Sequence, residues 1–221
     1  DTSAACVFGA SDEFLSAGRI DDLEMAHCAV TALLGSCEHD AEPQSTTRVM
    51  AIFDNEETGS GTKQGAASPV LKTILQRINA ALGGNDETFF RGVASSFMIS
   101  ADNGHATHPN YESKQDPTNH PVLGGGPVIK INANCKYMTD AESSAVFQEI
   151  CHEAGVPVQF FVNHSDVAGG STLGNILTSQ LDLRGVDMGA PQLAMHSCRE
   201  TAAVADHLYI IKAFTHFYNL K

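Results

Sequence analysis

The sequence predicts an α/β protein in three layers, with helices on both sides of a mostly parallel central sheet. Short apolar runs such as Val49–Phe53 and Ser96–Asp102 carry no internal charge, which is typical of strands buried on both faces of a sheet. They alternate with segments in which apolar residues recur every three or four positions, which indicates helices. With 221 residues, 43% of them apolar, and no visible repeat or linker, residues 1–221 are expected to surround one core.

Composition and charge exclude several functional classes. The net charge is −13 and no Lys/Arg run is present, so we expect no binding to nucleic acid or to an anionic membrane. No apolar run approaches the length of a membrane span. The six cysteines are scattered without a C-x-x-C pair, which favours reduced thiols and a cytoplasm-like compartment. The ten histidines are a surplus, and the negative charge favours solubility and cation binding.

The first helix is predicted from Ile20 to a stop at Gly35. Its apolar period runs through Ile20, Leu23, His27, Val30, Thr31 and Leu34. Asp21 and Asp22 fall in its first turn, where the simplest role of a carboxylate is to complement the helix dipole. A charged loop is expected from Cys37 to Thr47.

The stretch Arg48–Ser60 is the most informative part of the chain. Its apolar half predicts a buried strand, and three carboxylates follow at the end of that strand, Asp54, Glu56 and Glu57. In open α/β sheets, ligands bind at the carboxyl ends of the strands. One of two adjacent glutamates can bind a metal while the other takes a proton from water. A solvated acidic turn is the simpler alternative when this stretch is taken alone.

A second helix follows, from about Ser68 with Pro69 at its first position to a stop at Gly83. The positions expected to face the core are Val70, Leu71, Ile74, Leu75, Ile78, Ala81 and Leu82. The strand Ser96–Asp102 comes next and again ends on a carboxylate, with His105 close behind it.

The second half of the chain continues the alternation. A strand at Val128–Asn132 contains Lys130, which in such a place either reaches water or binds an anion. A helix is predicted next, beginning with a capping box at Thr139 and Glu142 and ending at Gly155. The elements that follow are a strand at Val156–Val162, a helix at Leu173–Leu181 and a strand at Val186–Met188. The last helix is predicted from about Arg199 to Tyr218, with His196 just before its start.

Strand ends and helix starts together supply a set of hard or borderline ligands that suits zinc, manganese or cobalt, namely Asp21, Glu56, Glu57, Asp102 and His196. Two ions about 3.5–4 Å apart, bridged by one carboxylate, are the centre of a co-catalytic hydrolase. A thiol hydrolase using Cys198 is an alternative. It is disfavoured because Cys198 and His196 would point apart at a helix start.

Five motifs in order resemble those of the aspartyl aminopeptidase family of dinuclear zinc metallopeptidases. They are A-G-R-I-D-D-L, F-D-N-E-E-T-G-S, I-S-A-D-N-G-H-A-T-H-P-N-Y, G-P-V-I-K-I-N and P-Q-L-A-M-H-S-C-R-E. The resemblance covers the chain from residue 1 to its end. It implies the α/β fold of metallo-aminopeptidases of the phosphorylase/hydrolase-like type.

The resemblance also implies a role for each site residue. Asp21 would bridge two metal ions, with Glu57 and His196 on one ion and Asp102 on the other. Glu56 would be the general base. The positions that resemble the pocket for the substrate's N-terminal side chain are His105, Lys130 and Tyr137. Asn103 and Gly104 depart from the family pattern A-x-M-A-H, which predicts an altered pocket wall.

The function implied is removal of N-terminal Asp or Glu from peptides. The expected cofactors are two zinc ions, with manganese or cobalt as alternatives, and the family members are homo-oligomers of cytoplasmic or vacuolar location. The family's further metal-binding histidine and its dimerisation domain belong to an upstream segment that these 221 residues do not contain. The alternative is therefore a catalytically incomplete piece, or an interaction module, that needs its other half.

Overall fold

The computed structural model describes residues 1–38 and 46–220. Its helices are α1 (Ile20–Cys37), α2 (Val70–Ala81), α3 (Asp86–Ala94), α4 (Ala141–Glu153), α5 (Leu173–Thr178) and α6 (Val204–Tyr218). Its strands are β1 (Cys6–Phe8), β2 (Phe14–Ala17), β3 (Phe97–Ala101), β4 (Gly104–His105), β5 (Val128–Ile131), β6 (Gln159–Val162), β7 (Arg184–Gly189), β8 (Pro191–Leu193) and β9 (Glu200–Ala203). The loop expected at Cys37–Thr47 lies mostly outside the described residues.

The predicted α/β class is confirmed, but the strand pairing is more mixed than expected. The described strands form two sheets, in the orders β1-β2-β9-β8-β4 and β3-β7-β5-β6. The parallel pairs are β3 with β7, β4 with β8, and β5 with β6. The pairs β1 with β2, β2 with β9, β5 with β7, and β8 with β9 are antiparallel. Short connections, such as residues 194–199 between the paired strands β8 and β9, leave no room for the crossover helix that parallel neighbours need.

The core lies between the second sheet and three helices, α1, α4 and α6. Its largest fully buried side chains include Met25, Phe147, Met188 and Ile210. Strands β3, β5, β6 and β7 lie at the positions that their apolar runs predict. Among the described residues, no helix has both the length and the apolar character needed to cross a bilayer.

The prediction of a buried strand at Val49–Phe53 is wrong. The side chains of Val49 and Ile52 are 45% and 61% exposed, and the segment joins no sheet of the described residues. An apolar run becomes a strand only when a neighbouring strand accepts its backbone hydrogen bonds. Residues 46–53 have no such neighbour within the described part of the chain, so this run stays outside the core.

The apolar faces of the first two helices also differ from the prediction. In α1 the buried side chains include Met25, Cys28 and Ala32, while Leu23 and Leu34 are mostly exposed. In α2 no side chain is fully buried. Val70, Ile74, Ile78 and Leu82 form an exposed apolar stripe instead. The helix rests on a small separate cluster through Leu71 and Leu75, which contact α3, an element the sequence analysis did not predict.

Two boundaries shift for local reasons. The cap of α4 is Asp140, whose carboxylate accepts the Ser143 backbone N–H while the Ser143 hydroxyl accepts the Asp140 N–H. The capping box is therefore one residue later than the predicted Thr139–Glu142 pair. The last helix begins at Val204, because the preceding four residues pair with β2 and β8 as β9. His196 consequently lies in the loop between β8 and β9 and not at a helix start.

Candidate metal centre

All eight side chains that the sequence singles out line one cavity of about 500 Å³. They are Asp21, Glu56, Glu57, Asp102, His105, Lys130, Tyr137 and His196. Asp21 lies at the start of α1, and Glu56 and Glu57 lie in the turn after residue 53. Asp102 follows β3, His105 belongs to β4 and Lys130 to β5. Tyr137 lies in the loop after β5, and His196 lies in the loop between β8 and β9. The fold thus gathers widely separated positions around one space.

One group of candidate ligands consists of Asp21, Glu57 and His196. His196 Nε2 is 3.2 Å from Asp21 Oδ2 and 3.1 Å from Glu57 Oε2. His196 adopts a left-handed backbone conformation with φ 65°, as a tight loop between two antiparallel strands requires. The Asp21 carboxyl is buried, whereas Glu57 and His196 are open to solvent on the cavity side. One imidazole and two carboxylates therefore converge on a point that a ligand can reach.

A second group consists of Asp21, Asp22 and Asp102, so that Asp21 belongs to both. Asp21 and Asp22 have non-helical backbone angles (φ −79°, ψ 111° and φ −120°, ψ 31°), although they open α1. They therefore do not form an ordinary first helical turn whose side chains face solvent. Asp102 directly follows β3, and its N–H bonds to Met188 on the neighbouring strand β7 at 2.9 Å. The strand pair thereby fixes the position of the Asp102 carboxylate.

Burial and neighbouring carboxylates raise the pKa values of Asp21 and Asp22. Burial, followed by repulsion from Asp102 and a hydrogen bond with Glu57, raises the pKa of Asp21 to about 8. Burial, with Asp102 and Asp21 adding to it, also raises the pKa of Asp22 well above its ordinary value. A divalent cation between the groups offsets this repulsion, and imidazole with carboxylate oxygens is a donor set that zinc accepts. The side chains present therefore fit a zinc centre.

Glu56 faces the same cavity but belongs to neither ligand group. Its pKa is raised, first by desolvation and then by the charges of Asp102 and Glu57. A carboxylate with a raised pKa, beside but outside a metal-ligand group, is placed as a general base requires.

Lys130 is paired inside the protein, which differs from both alternatives considered from the sequence. Its side chain is 4% exposed, and its ammonium donates to Asp102 Oδ2 at 2.8 Å and to the Asn103 carbonyl at 2.9 Å. Burial alone would lower the pKa of Lys130, but the adjacent Asp102 carboxylate outweighs burial and raises it. The lysine is therefore a cation fixed beside a candidate metal ligand.

Two aromatic side chains complete the wall around Lys130. The Tyr137 ring is buried, with its centroid 5.8 Å from Lys130 Nζ, and burial raises the pKa of its hydroxyl. The His105 ring is 6.3 Å from that of Phe161. Burial, with the positive charges of Lys130 and His196, lowers the pKa of His105. This side of the cavity thus offers one fixed cation and two neutral hydrogen-bonding groups.

Two carboxylates of the site, Asp22 and Glu200, are not predicted from the sequence. In the sequence, Asp22 has the position of a residue that complements a helix dipole, and Glu200 belongs to the last motif without an assigned role. Glu200 is 2% exposed, and its two oxygens accept the backbone N–H groups of Asp21 at 2.9 Å and His196 at 2.8 Å. A glutamate at the start of a strand of small residues, E-T-A-A, was the available signal that a carboxylate is buried there.

The chain is similar to known zinc metalloproteases. The family model of the aminopeptidase I zinc metalloproteases (M18) matches residues 1–218. A probable M18 family aminopeptidase 2 from Clostridium acetobutylicum is 50% identical over 215 residues, which is 97% of this chain and 48% of the relative. A probable aspartyl aminopeptidase from Ricinus communis is 42% identical over 220 residues, which is 99% of this chain and 45% of the relative.

The structural comparison leads to the same group of proteins. A chain in the cryo-EM structure of the Ape4 and Nbr1 complex superposes with a TM-score of 0.94 at 39% identity, covering 99% of this chain and 42% of that chain. The present chain thus spans about half the length of the relatives it matches. Since the family model matches almost every residue, the chain belongs to the M18 family of zinc metallo-aminopeptidases.

Proposed function

We propose that this chain carries the two-metal centre of an aminopeptidase that removes acidic residues from peptide N-termini. The observation that carries the proposal is that Asp21 belongs to both ligand groups, Asp21 with Glu57 and His196, and Asp21 with Asp22 and Asp102. A carboxylate shared in this way has the position of a bridging ligand between two ions. Glu57 and His196 would hold one ion, and Asp102, with Asp22 beside it, the other.

The reaction divides between the ions and the chain's own residues. When bound, divalent ions at such a centre polarise the scissile carbonyl and lower the pKa of water. Glu56 accepts a proton from the attacking water and passes it to the leaving amine. Asp22 and Glu200 bind no substrate in this scheme. Glu200 holds Asp21 and His196 in place through their backbone N–H groups.

The preference for acidic residues is assigned to Lys130, with His105 and Tyr137 on the same wall. An ammonium has three N–H donors, and Lys130 uses two of them on Asp102 and Asn103. The third remains for a substrate carboxylate in the cavity. A net charge of −13 repels acidic peptides at long range, so a fixed local cation is needed to bind them.

The second candidate function is that of an incomplete enzyme, in which this chain becomes active only together with the rest of the protein. The observation that favours it is the exposure of apolar side chains in two segments, Val49 and Ile52 in the first and the α2 stripe Val70, Ile74, Ile78 and Leu82 in the second. Monomeric proteins rarely leave large apolar patches in water. Further chain or other subunits of a homo-oligomer would cover these side chains. The six free cysteines fit a reducing, cytoplasm-like compartment.

The test combines metal analysis with substrate comparison. We would measure bound zinc and the hydrolysis of Asp-, Glu-, Ala- and Leu-p-nitroanilide, using the chain alone and supplied with the remaining half of the Clostridium acetobutylicum relative. Two ions per chain and faster cleavage of the acidic substrates support the proposal. Activity only after supplementation supports the second candidate. Zinc binding without any cleavage in either sample refutes the aminopeptidase assignment.

Substitution of Lys130 tests the specificity separately. In Lys130→Met, kcat/KM for the Asp and Glu substrates should fall roughly 30- to 900-fold more than for Ala and Leu, which corresponds to about 2–4 kcal/mol of lost ion pairing. Damage at Asp102 affects both classes equally, so the ratio reports contact with the substrate side chain. A parallel fall in both classes would assign the acidic preference to other residues.

A further inference from the structure

Helices α1 and α6 pack side by side and bring two histidines together outside the catalytic cavity. His27 Nδ1 lies 3.1 Å from His207 Nε2. His27 is exposed, the His207 side chain is 26% exposed, and neither residue lines the cavity. A pair of solvent-accessible imidazole nitrogens therefore lies between residues that are 180 positions apart in the chain.

The geometry of the two rings suits a shared metal ion. Zinc–nitrogen bonds are about 2.0–2.1 Å long, so nitrogens 3.1 Å apart can both reach one ion at an angle of roughly 100°, near the tetrahedral value. The ring centroids are 5.0 Å apart. In a collinear N–H···N hydrogen bond, the centroid distance equals the nitrogen separation plus the radii of the two rings. The observed centroid distance is shorter than that sum. A separation below that collinear value is compatible with both nitrogens facing one ion.

A buried carboxylate supports this arrangement from behind. Glu24 is 6% exposed, and its Oε2 accepts a hydrogen bond from the Asn103 side-chain amide at 2.9 Å. Its other oxygen, Oε1, has no hydrogen-bond partner among the described residues and lies 3.5 Å from His207 Nδ1. An unpartnered buried oxygen favours a proton on His207 Nδ1, which leaves the lone pair of Nε2 directed at His27. Metal-ligating histidines commonly have such a carboxylate behind them.

The nearby thiol is not a third ligand. Cys28 Sγ lies 3.4 Å from His207 Nδ1, on the side of the ring that faces Glu24. Burial, then the charges of Glu24 and Asp22, raise the pKa of Cys28 far above its ordinary value, so the thiol stays protonated. The side chains that can bind are therefore the two imidazoles, a donor type suited to zinc, nickel or copper.

We propose that His27 Nδ1 and His207 Nε2 hold a divalent transition-metal ion that clamps α1 to α6, separate from the catalytic centre. Water completes the coordination on the open side of the pair. The clamp closes a long loop of chain between residues 27 and 207, so bound metal should stabilise the fold.

The test is a calorimetric titration of the chain with zinc chloride, comparing wild type with His27→Gln and His207→Gln. His152→Gln is the matched control, because His152 is an exposed helix histidine whose described ion pair is with Glu149 in the same helix. Wild type and control should bind one zinc ion more per chain than either variant. Zinc should also raise the melting temperature of the first two proteins more than that of His27→Gln or His207→Gln.

The proposal is overturned if the two variants bind as many zinc ions as wild type while keeping its circular dichroism. His27 and His207 would then be joined by a hydrogen bond only. The readout is a difference in stoichiometry and does not use turnover, so it is independent of the aminopeptidase assignment. A chain that stays catalytically silent even when it is supplied with the remaining half, and whose two variants still lose one zinc ion, would refute that assignment and support this site.

Discussion

The ammonium of Lys130 and the carboxylate of Asp102 form a 2.8 Å ion pair at the wall of the metal-binding cavity. Lys130 is 4% and Asp102 22% exposed, so water screens the pair only partly. Lys130→Met removes the cation and leaves Asp102 among other carboxylates. We expect the free energy of unfolding of the metal-free chain to fall by about 3 kcal/mol in a urea titration.

Added zinc should recover part of this loss, since a divalent ion also neutralises Asp102. Lys63→Met, at an exposed position, is the control and should change stability by less than about 0.5 kcal/mol. Equal stability of Lys130→Met and wild type would mean that the pair contributes nothing to the fold.

Local patterns predicted the strands that carry site residues but not every element around them. Ser96–Asp102 and Val128–Asn132 became β3 and β5, because both runs have strand partners. All of β3 is paired with β7, and β5 is paired with β6 on one side and β7 on the other. Val49–Phe53 has the same local signal and no described strand beside it, so the pattern alone misled. Partners of a strand are a property of the whole fold, which a single segment does not encode.

The residues of the site were likewise predicted only in part. The motifs brought together eight side chains that do line one cavity. Asp22 was missed because a carboxylate at a helix start has a common structural role, and only the non-helical backbone at Asp21 and Asp22 distinguishes the two cases. Glu200 was missed because its contacts to Asp21 and His196 bridge sequence separations of 179 and 4 residues.

Glu56→Gln should keep the metal and lose the activity. The amide has nearly the shape of the carboxylate but accepts no proton, so turnover should fall at least about a hundredfold. Zinc content measured by mass spectrometry should be unchanged, because Glu56 belongs to neither ligand group. Asp54→Asn, in the same turn but outside the cavity lining, is the control. Loss of zinc in Glu56→Gln would mean that Glu56 is the metal ligand and Glu57 the general base.

His196→Ala should lose one zinc ion together with activity. Its imidazole is the only nitrogen donor in the two ligand groups of the described residues, and the nearest remaining ligands are carboxylates. The second group, Asp21 with Asp22 and Asp102, should keep its ion. Normal zinc content with full activity would show that His196 is not a metal ligand.

The cysteines should separate into two classes of reactivity. Cys6, Cys37, Cys135 and Cys198 are exposed, whereas Cys28 and Cys151 are buried. Burial raises the pKa of Cys151 to about 12, so almost no reactive thiolate exists at pH 8. A thiol-specific reagent should label four cysteines rapidly in the native chain and six after denaturation. Rapid labelling of Cys28 or Cys151 would contradict the packing of α1 and α4.

Glu200→Gln tests whether one buried side chain positions two metal ligands. Both oxygens of Glu200 accept backbone N–H groups, so the glutamine NH₂ must face one N–H and that bond is lost. We expect zinc affinity to fall about 10- to 100-fold, as for other residues that orient ligands. Amide hydrogen exchange at Asp21 or His196 should accelerate in the metal-free chain, a readout that requires no turnover.

Glu142→Gln is the matched control for Glu200→Gln, because it removes a carboxylate from an exposed pair with Arg184, away from the cavity. It should leave zinc affinity and both exchange rates unchanged. If Glu200→Gln binds zinc as tightly as the control, Asp21 and His196 are held by their own loops, and the buried carboxylate serves folding alone. If affinity falls while exchange at both amides stays slow, the effect of Glu200 is its negative charge and not its hydrogen bonds.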